Sequence, residues 1–426
     1  MKVVYFPRIF PLRLPVAVPD VLFADQQPVG LATVRMGFSE KLSVVALAIF
    51  SSELESTEGI KPVGMPMVII KGQFRHLSGS HPSEQAVSAA NAKTIAVAIV
   101  EGSGTPVEKK GRKKQLSGLS TPRADSEKMP VKVGSSIGTR EGEDRGTVGL
   151  YLKSSYGKRV LTCAHVASPP RCDLDHLLDP LPPYVFPKGG SITSPGRFDC
   201  IVQMGTLLKN NGPDLPNKLV PWLVAAERIC GTVHCGRLGS DDLGYREDWA
   251  LIELHDGFVG VNGIRWKMNE WERKRQMHEV QPSSAAFRGR VVAAADPYLR
   301  ANDIWFKDGA STGWTAARLV STRVVLFIRG SVMGVEDPAA VHPANIIKAK
   351  VFMMASLDDS PFATLGDSGS GVFKVTDDGQ DVVFGGMVVS EYITNLGESL
   401  TMVVPATRLL AQVAKETGVS WEVAID

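Results

Sequence analysis

Beyond about Pro130 the chain breaks into many short β-rich runs, GTVGLYL, KRVLTCAHV, DWALIEL, GRVVAAA, RVVLFIRG, KAKVFMMA, SGVFKV and VVFGGMVV, separated by Gly, Pro, Asn and Asp turns. Many short strands at such spacing predict an all-β sandwich or barrel. No internal repeat is evident. Two stretches interrupt the pattern. Ala167 to about Glu247 is long and loop-rich, and the charged Ile264 to His278 predicts a short helix; both read as surface insertions, near 167–247 and 264–280.

The 426 residues exceed one ordinary core, so two or three domains are expected. Upstream of the β-rich part, Val29 to Phe38 and Pro66 to Phe74 predict strands. Between them Leu42, Val45, Ala46 and Ile49 fall at helical spacing, which predicts a helix from Ser39 to about Glu58, stopped by Gly59. Ser83 to Ala92 predicts a further helix and Thr94 to Val100 a strand. Residues 1–100 therefore read as a small α/β domain to which no chemistry attaches. Residues 101–129 hold almost no large apolar side chains, cannot repay their ordering entropy, and read as a flexible linker. Its basic run, Lys109 to Lys114, reads as a solvated face. Residues 130–426 form the β-rich domain.

Charge and cysteine content exclude some classes. Lys+Arg 47 against Asp+Glu 45 leaves a net charge of +2, no field that would gather nucleic acid or an anionic membrane. The five cysteines are too few and odd in number for a disulfide-built scaffold, so a reducing, intracellular compartment is expected. Arg8, Arg13 and several prolines interrupt the apolar N-terminus, so no signal peptide is expected, and no apolar run is long enough to span a bilayer. The pairs Cys172/His176 and Cys230/Cys235, with Cys200 and His234, approach structural zinc spacings, but the regular CxxC pattern is missing; no metal or cofactor is expected.

Three segments carry the parts of a nucleophilic site: a hydroxyl needs a base, an orienter of the base, and donors for the oxyanion. In TLGDSGSGVF, Ser368 sits among glycines that let the backbone turn sharply and let the N–H groups of Gly366 and Ser368 converge. RVLTCAHVA ends an apolar strand in His165. REDWALIEL opens an apolar strand with Asp248. Alone, each is as easily a turn or a structural residue; together, in the order His, Asp, Ser, they point to one site.

These segments resemble the histidine, aspartate and nucleophile motifs of chymotrypsin-like serine peptidases. The resemblance, which spans roughly Val131 to Leu410, implies two six-stranded β-barrels with the active site between them. It implies His165 as general base and acid, Asp248 as its orienter, Ser368 as nucleophile, and Gly366 and Ser368 as oxyanion-hole donors. KDGASTGWTAARL, Lys307 to Leu319, is similar to a stretch that precedes the nucleophile in bacterial and viral-type members, without a catalytic role of its own. The residue six before the nucleophile, Phe362, falls at the base of the specificity pocket, which argues against a preference for Lys or Arg. Gly385, Gly386 and Ser390 are expected to line the substrate cleft.

The chain departs from the family in three ways. His165 and Asp248 stand 83 residues apart, which requires an insertion and makes Asp199 a competitor for the acid; only Asp248 is followed by the alternating strand WALIEL. The family's disulfide beside the histidine is not reproduced, Cys163 preceding His165 by two. No Ile-Val-Gly-Gly-like start is found near the β-rich domain, so Asp367 must be held by something other than a newly cut N-terminus. The expected activity is serine endopeptidase acting on a protein or peptide; the alternative is a catalytically inactive peptidase-like binding module.

Overall fold

The computed structural model describes residues 4–5, 29–37, 43–51, 67–76, 130–140, 145–167, 184–185, 189–209, 215–264, 289–294, 304–329, 346–357, 360–377, 379–394 and 399–425. The first strands are β1 (Val4–Tyr5), β2 (Val29–Gly37), β3 (Ser43–Ser51) and β4 (Met67–His76). Next come β5 (Ser136–Thr139), β6 (Gly146–Thr147), β7 (Leu150–Ser154), β8 (Gly157–Thr162), β9 (Tyr184–Val185), β10 (Ser191–Thr193), β11 (Ile229–Ser240) and β12 (Arg246–Leu254). The last group is β13 (Val291–Ala294), β14 (Ile304–Gly309), β15 (Gly313–Arg329), β16 (Ile346–Ser356), β17 (Gly371–Val375), β18 (Val382–Thr394), β19 (Ser399–Pro405) and β20 (Glu422–Val423). The helices are α1 (Ala164–Ala167), α2 (Arg197–Lys209), α3 (Leu215–Ala226) and α4 (Ala406–Thr417).

The pairings close two rings of six strands, as expected. In the first, β5 pairs β10, β10 pairs β11, β11 pairs β12, β12 pairs β8 and β8 pairs β7. β6, paired to β5, continues through Val148 and Gly149 into β7 and completes the circuit. In the second, β14, β15, β16, β19, β18 and β17 pair in that order and β17 returns to β14. Closure leaves no ladder edge within a ring, which is how a set of short strands satisfies its backbone. β12 runs between β11 and β8, and its Trp249, Ala250, Leu251 and Ile252 are all buried.

Within Ala167–Glu247, the stretch read as an insertion, β11 is a barrel strand that meets β12 from Gly231↔Leu254 to Ser240↔Arg246. The added material described there includes α2 and α3, which bury Cys200, Met204, Trp222, Ala225 and Ala226 against each other. Helix α4 follows β19, with Ala406, Leu409, Gln412 and Val413 buried, and Gly418 ends it in the left-handed region (φ 71°), donating its N–H to the Ala414 carbonyl.

The N-terminal strands at Val29–Gly37 and Met67–His76 lie where expected, but Ser43–Ser51 is a strand and not the expected helix. Short apolar runs do not fix the period. Here β3 is held extended by β2 from Ser43 to Phe50 and by β4 from Leu47 to Ser51, and the β-branched Ile49 suits that pleated position. The expected helix Ser83–Ala92, the strand Thr94–Val100, the linker, and positions 265–278 of the second insertion fall outside the described residues.

Candidate active site

His165 lies in α1, the single turn that follows β8, and Asp248 lies near the start of β12, the strand paired to β8. This adjacency spans the long loop between them. His165 Nδ1 is 2.7 Å from Asp248 Oδ2, and the His165 backbone N–H donates to Asp248 Oδ1 at 3.3 Å. Both residues are fully buried. A carboxylate on Nδ1 fixes the ring and selects the tautomer with its proton there, which leaves Nε2 as the basic nitrogen. Arg246, also buried, has its guanidinium 3.9 Å from Asp248 Oδ2.

Asp199, the competing acid, is elsewhere. It sits in the first turn of α2, accepts from the Ser136 hydroxyl, and pairs with Arg145. Arg145 in turn donates to the Leu365 carbonyl at 3.4 Å, so the Asp199 network buttresses the turn that carries Ser368.

That turn, ahead of β17, is pinned from several sides. The Thr147 N–H donates to the Ser368 carbonyl at 2.7 Å and its hydroxyl to the Gly366 carbonyl at 2.9 Å, so one β6 residue of the first barrel grips the turn of the second. Gly366 has φ 96°, the left-handed region, and a Cβ there would meet the Ser311 hydroxyl and Arg145. Neither the Gly366 nor the Ser368 N–H donates to a partner among the described residues.

Asp367 is buried beneath the turn. It accepts from Lys307 Nζ (3.1 Å), the N–H groups of Ser311 (2.9 Å), Thr312 (3.3 Å) and Thr364 (3.0 Å), and the Thr312 hydroxyl (2.8 Å). Lys307 has no solvent exposure and also donates to Thr312 Oγ1 at 2.6 Å. The cation that holds Asp367 is thus a side chain of β14, from the segment read as lacking a catalytic role.

The structure joins His165 to Asp248 and brings the Ser368 turn against the same barrel. The Ser368 hydroxyl contacts the Val389 carbonyl at 3.5 Å and makes no hydrogen bond to His165 among the described residues. Phe362 is fully buried, its ring beneath the Lys307 ammonium at 5.6 Å, in a cluster with Trp305, Leu319 and Val388. Gly385 packs on the Trp305 ring and Gly386 on the Val404 backbone, while Ser390 pairs with Met402 of β19 and His76 of β4.

Cys163 is the one heteroatom the sequence motifs did not assign. Its Sγ, a His165 ring nitrogen and an Asp248 oxygen lie within 4.8 Å of one another, the only such His/Cys/Asp/Glu group among the described residues; Cys200, Cys230, His234 and Cys235 form none. Burial, then the Asp248 charge, pushes the Cys163 thiol well above its usual range, and the thiol donates to the Val388 carbonyl at 3.2 Å. A thiol so held is neither a ready nucleophile nor a ready metal ligand.

No family model and no curated protein matches the chain. Among solved structures it is similar to Protease A of Thermobifida fusca, at 11% identity over 69% of this chain and 100% of that one, with a TM-score of 0.35. It is also similar to a chymotrypsin of Cellulomonas bogoriensis, at 12% identity over 70% and 100%, TM-score 0.34, and to a protease of Nocardiopsis, at 12% over 68% and 98%, TM-score 0.33. Likenesses at this level do not make the chain a member of those families.

Proposed function

We propose that the chain is a serine-type endopeptidase in which His165 is the general base and then acid, Asp248 holds and stabilises it, and Ser368 attacks the scissile carbonyl. The observation that carries the reading is the buried 2.7 Å contact of His165 Nδ1 with Asp248 Oδ2, beside a turn built to present a serine between two left-handed or tightly packed glycines. In the proposed cycle Ser368 loses its proton to His165 Nε2 as its oxygen bonds to the carbonyl carbon. The oxyanion is received by the N–H groups of Gly366 and Ser368, and His165 returns the proton to the leaving amine. Water then repeats the sequence on the acyl-enzyme.

The 3.5 Å contact of Ser368 Oγ with the Val389 carbonyl favours a second reading, a peptidase-like module without turnover. A serine hydroxyl changes partner by one χ1 rotation, and catalytic contacts commonly tighten only when substrate binds, so the contact describes a resting arrangement. Hydrolysis of an unfolded protein such as reduced, alkylated casein, lost in Ser368→Ala, supports the peptidase; no cleavage by well-folded protein across a panel of P1 residues supports the inactive module.

A further inference from the structure

We propose that β4 acts as an internal stand-in for a peptide substrate, occupying the edge of β18 that an extended chain would use to reach Ser368. This rests on the peptidase reading of the site. The Ser368 hydroxyl touches the carbonyl of Val389, so a peptide presented to Ser368 passes the next residues of β18, Ser390 to Thr394. One edge of that segment is taken by β19, from Ser390↔Met402 to Ile393↔Ser399, as part of the barrel. The other edge would offer unpaired N–H and C=O groups beside the nucleophile, the condition for recognition by strand addition.

β4 fills that edge, antiparallel, from Thr394↔Gly72 through Glu391↔Arg75 to Ser390↔His76. Its C-terminal end is therefore the end nearest Ser368, one position short of Val389. The fit is specific. Tyr392 of β18 donates its hydroxyl to the Ile70 carbonyl and packs edge-on against Phe50 of β3, ring centroids 5.2 Å apart. A Cβ on Gly72 would run into the Ile393 carbonyl. The β2–β3–β4 unit is also moored away from the cleft, by β2 pairing with β15 from Val325↔Leu31 to Phe327↔Val29, so release of β4 need not detach the whole unit.

The test uses the full chain and two substrates: an extended peptide long enough to pair with Ser390–Thr394, and a single-residue ester that does not reach them. Gly72→Val, whose side chain cannot coexist with the Ile393 backbone, raises kcat/KM on the extended peptide by about tenfold or more and leaves the ester unchanged, because apparent affinity scales with the fraction of open molecules. Gln73→Cys with Ile393→Cys, at directly paired positions, gives under oxidation a disulfide that abolishes cleavage of the extended peptide relative to the same variant when reduced, and reductant restores it. If the oxidised double variant cleaves the extended peptide as the wild type does, β4 does not block the cleft and the inference fails while the peptidase stands. If no variant turns over the ester and Ser368 stays unlabelled by a fluorophosphonate, the peptidase reading itself fails, and this inference with it.

Discussion

Lys307 Nζ stands 3.1 Å from Asp367 Oδ2, and neither side chain reaches solvent. A buried pair of this kind is weak evidence for stability, yet removing one partner leaves an uncompensated charge. Lys307→Met should cost about 3–5 kcal/mol in urea unfolding, and Lys307→Met with Asp367→Asn should cost much less than the two single changes combined. Because Asp367 adjoins Ser368, the single variant should also lower kcat more than it raises KM. An additive double variant would show that the pair is not coupled.

Thr147 links the barrels at the turn that carries Ser368. Thr147→Val removes the hydroxyl that donates to the Gly366 carbonyl and accepts from the Ala310 N–H. The expected cost is about 1–3 kcal/mol, the penalty for unsatisfied buried partners, with a fall in turnover at constant Ser368 content. Full turnover with full stability would show that the turn holds its shape without this grip.

Cys163 separates two chemistries. Its thiol is pushed up by burial and by Asp248, so it is protonated throughout the neutral range. Iodoacetamide at pH 8 should leave Cys163 unmodified in the folded chain, and Cys163→Ala should retain activity. Loss of activity in Cys163→Ala with activity intact in Ser368→Ala would make the thiol the nucleophile.

Much of this site was legible because strong local patterns sit at its working points. RVLTCAHV and DWALIEL each join an apolar strand to one polar residue, and β8 and β12 then bring His165 and Asp248 together across the long intervening loop. Asp199 was a fair rival in sequence, since nothing local announces that α2 turns it toward Ser136 and Arg145. Arg145, Thr147 and Arg246 carry no motif; their roles come from tertiary contacts with the turn and with Asp248. Lys307 was visible only as part of a segment, for its meaning depends on Asp367 lying beneath the neighbouring turn. The helix expected around Leu42 to Ile49 failed for a related reason: so short an apolar run does not fix its period, and pairing with β2 and β4, which no local signal announces, decides for the strand.

Two buried thiols set an alkaline limit. Burial raises Cys200 and Cys230 from 9.0 to about 12. Between these values the unfolded chain loses protons that the folded chain keeps. Stability is therefore full below pH 9 and falls as pH rises toward 12, by about 1.4 kcal/mol per pH unit for each thiol. Denaturant melts from pH 8 to 11 on wild type and on Cys200→Ala with Cys230→Ala should show a flatter decline in the double variant; identical slopes would place the loss on other groups.

The central claim is that Ser368 is a nucleophile activated by His165 and held ready by Asp248. The most direct measurement is reaction with a fluorophosphonate probe, read by mass spectrometry of the peptide containing Ser368, in wild type, Ser368→Ala, His165→Ala and Asp248→Asn. The account predicts a single adduct on Ser368 in wild type, none in Ser368→Ala or His165→Ala, and labelling slowed on the order of 10⁴-fold in Asp248→Asn. An adduct on Ser368 that survives His165→Ala at the wild-type rate would contradict it.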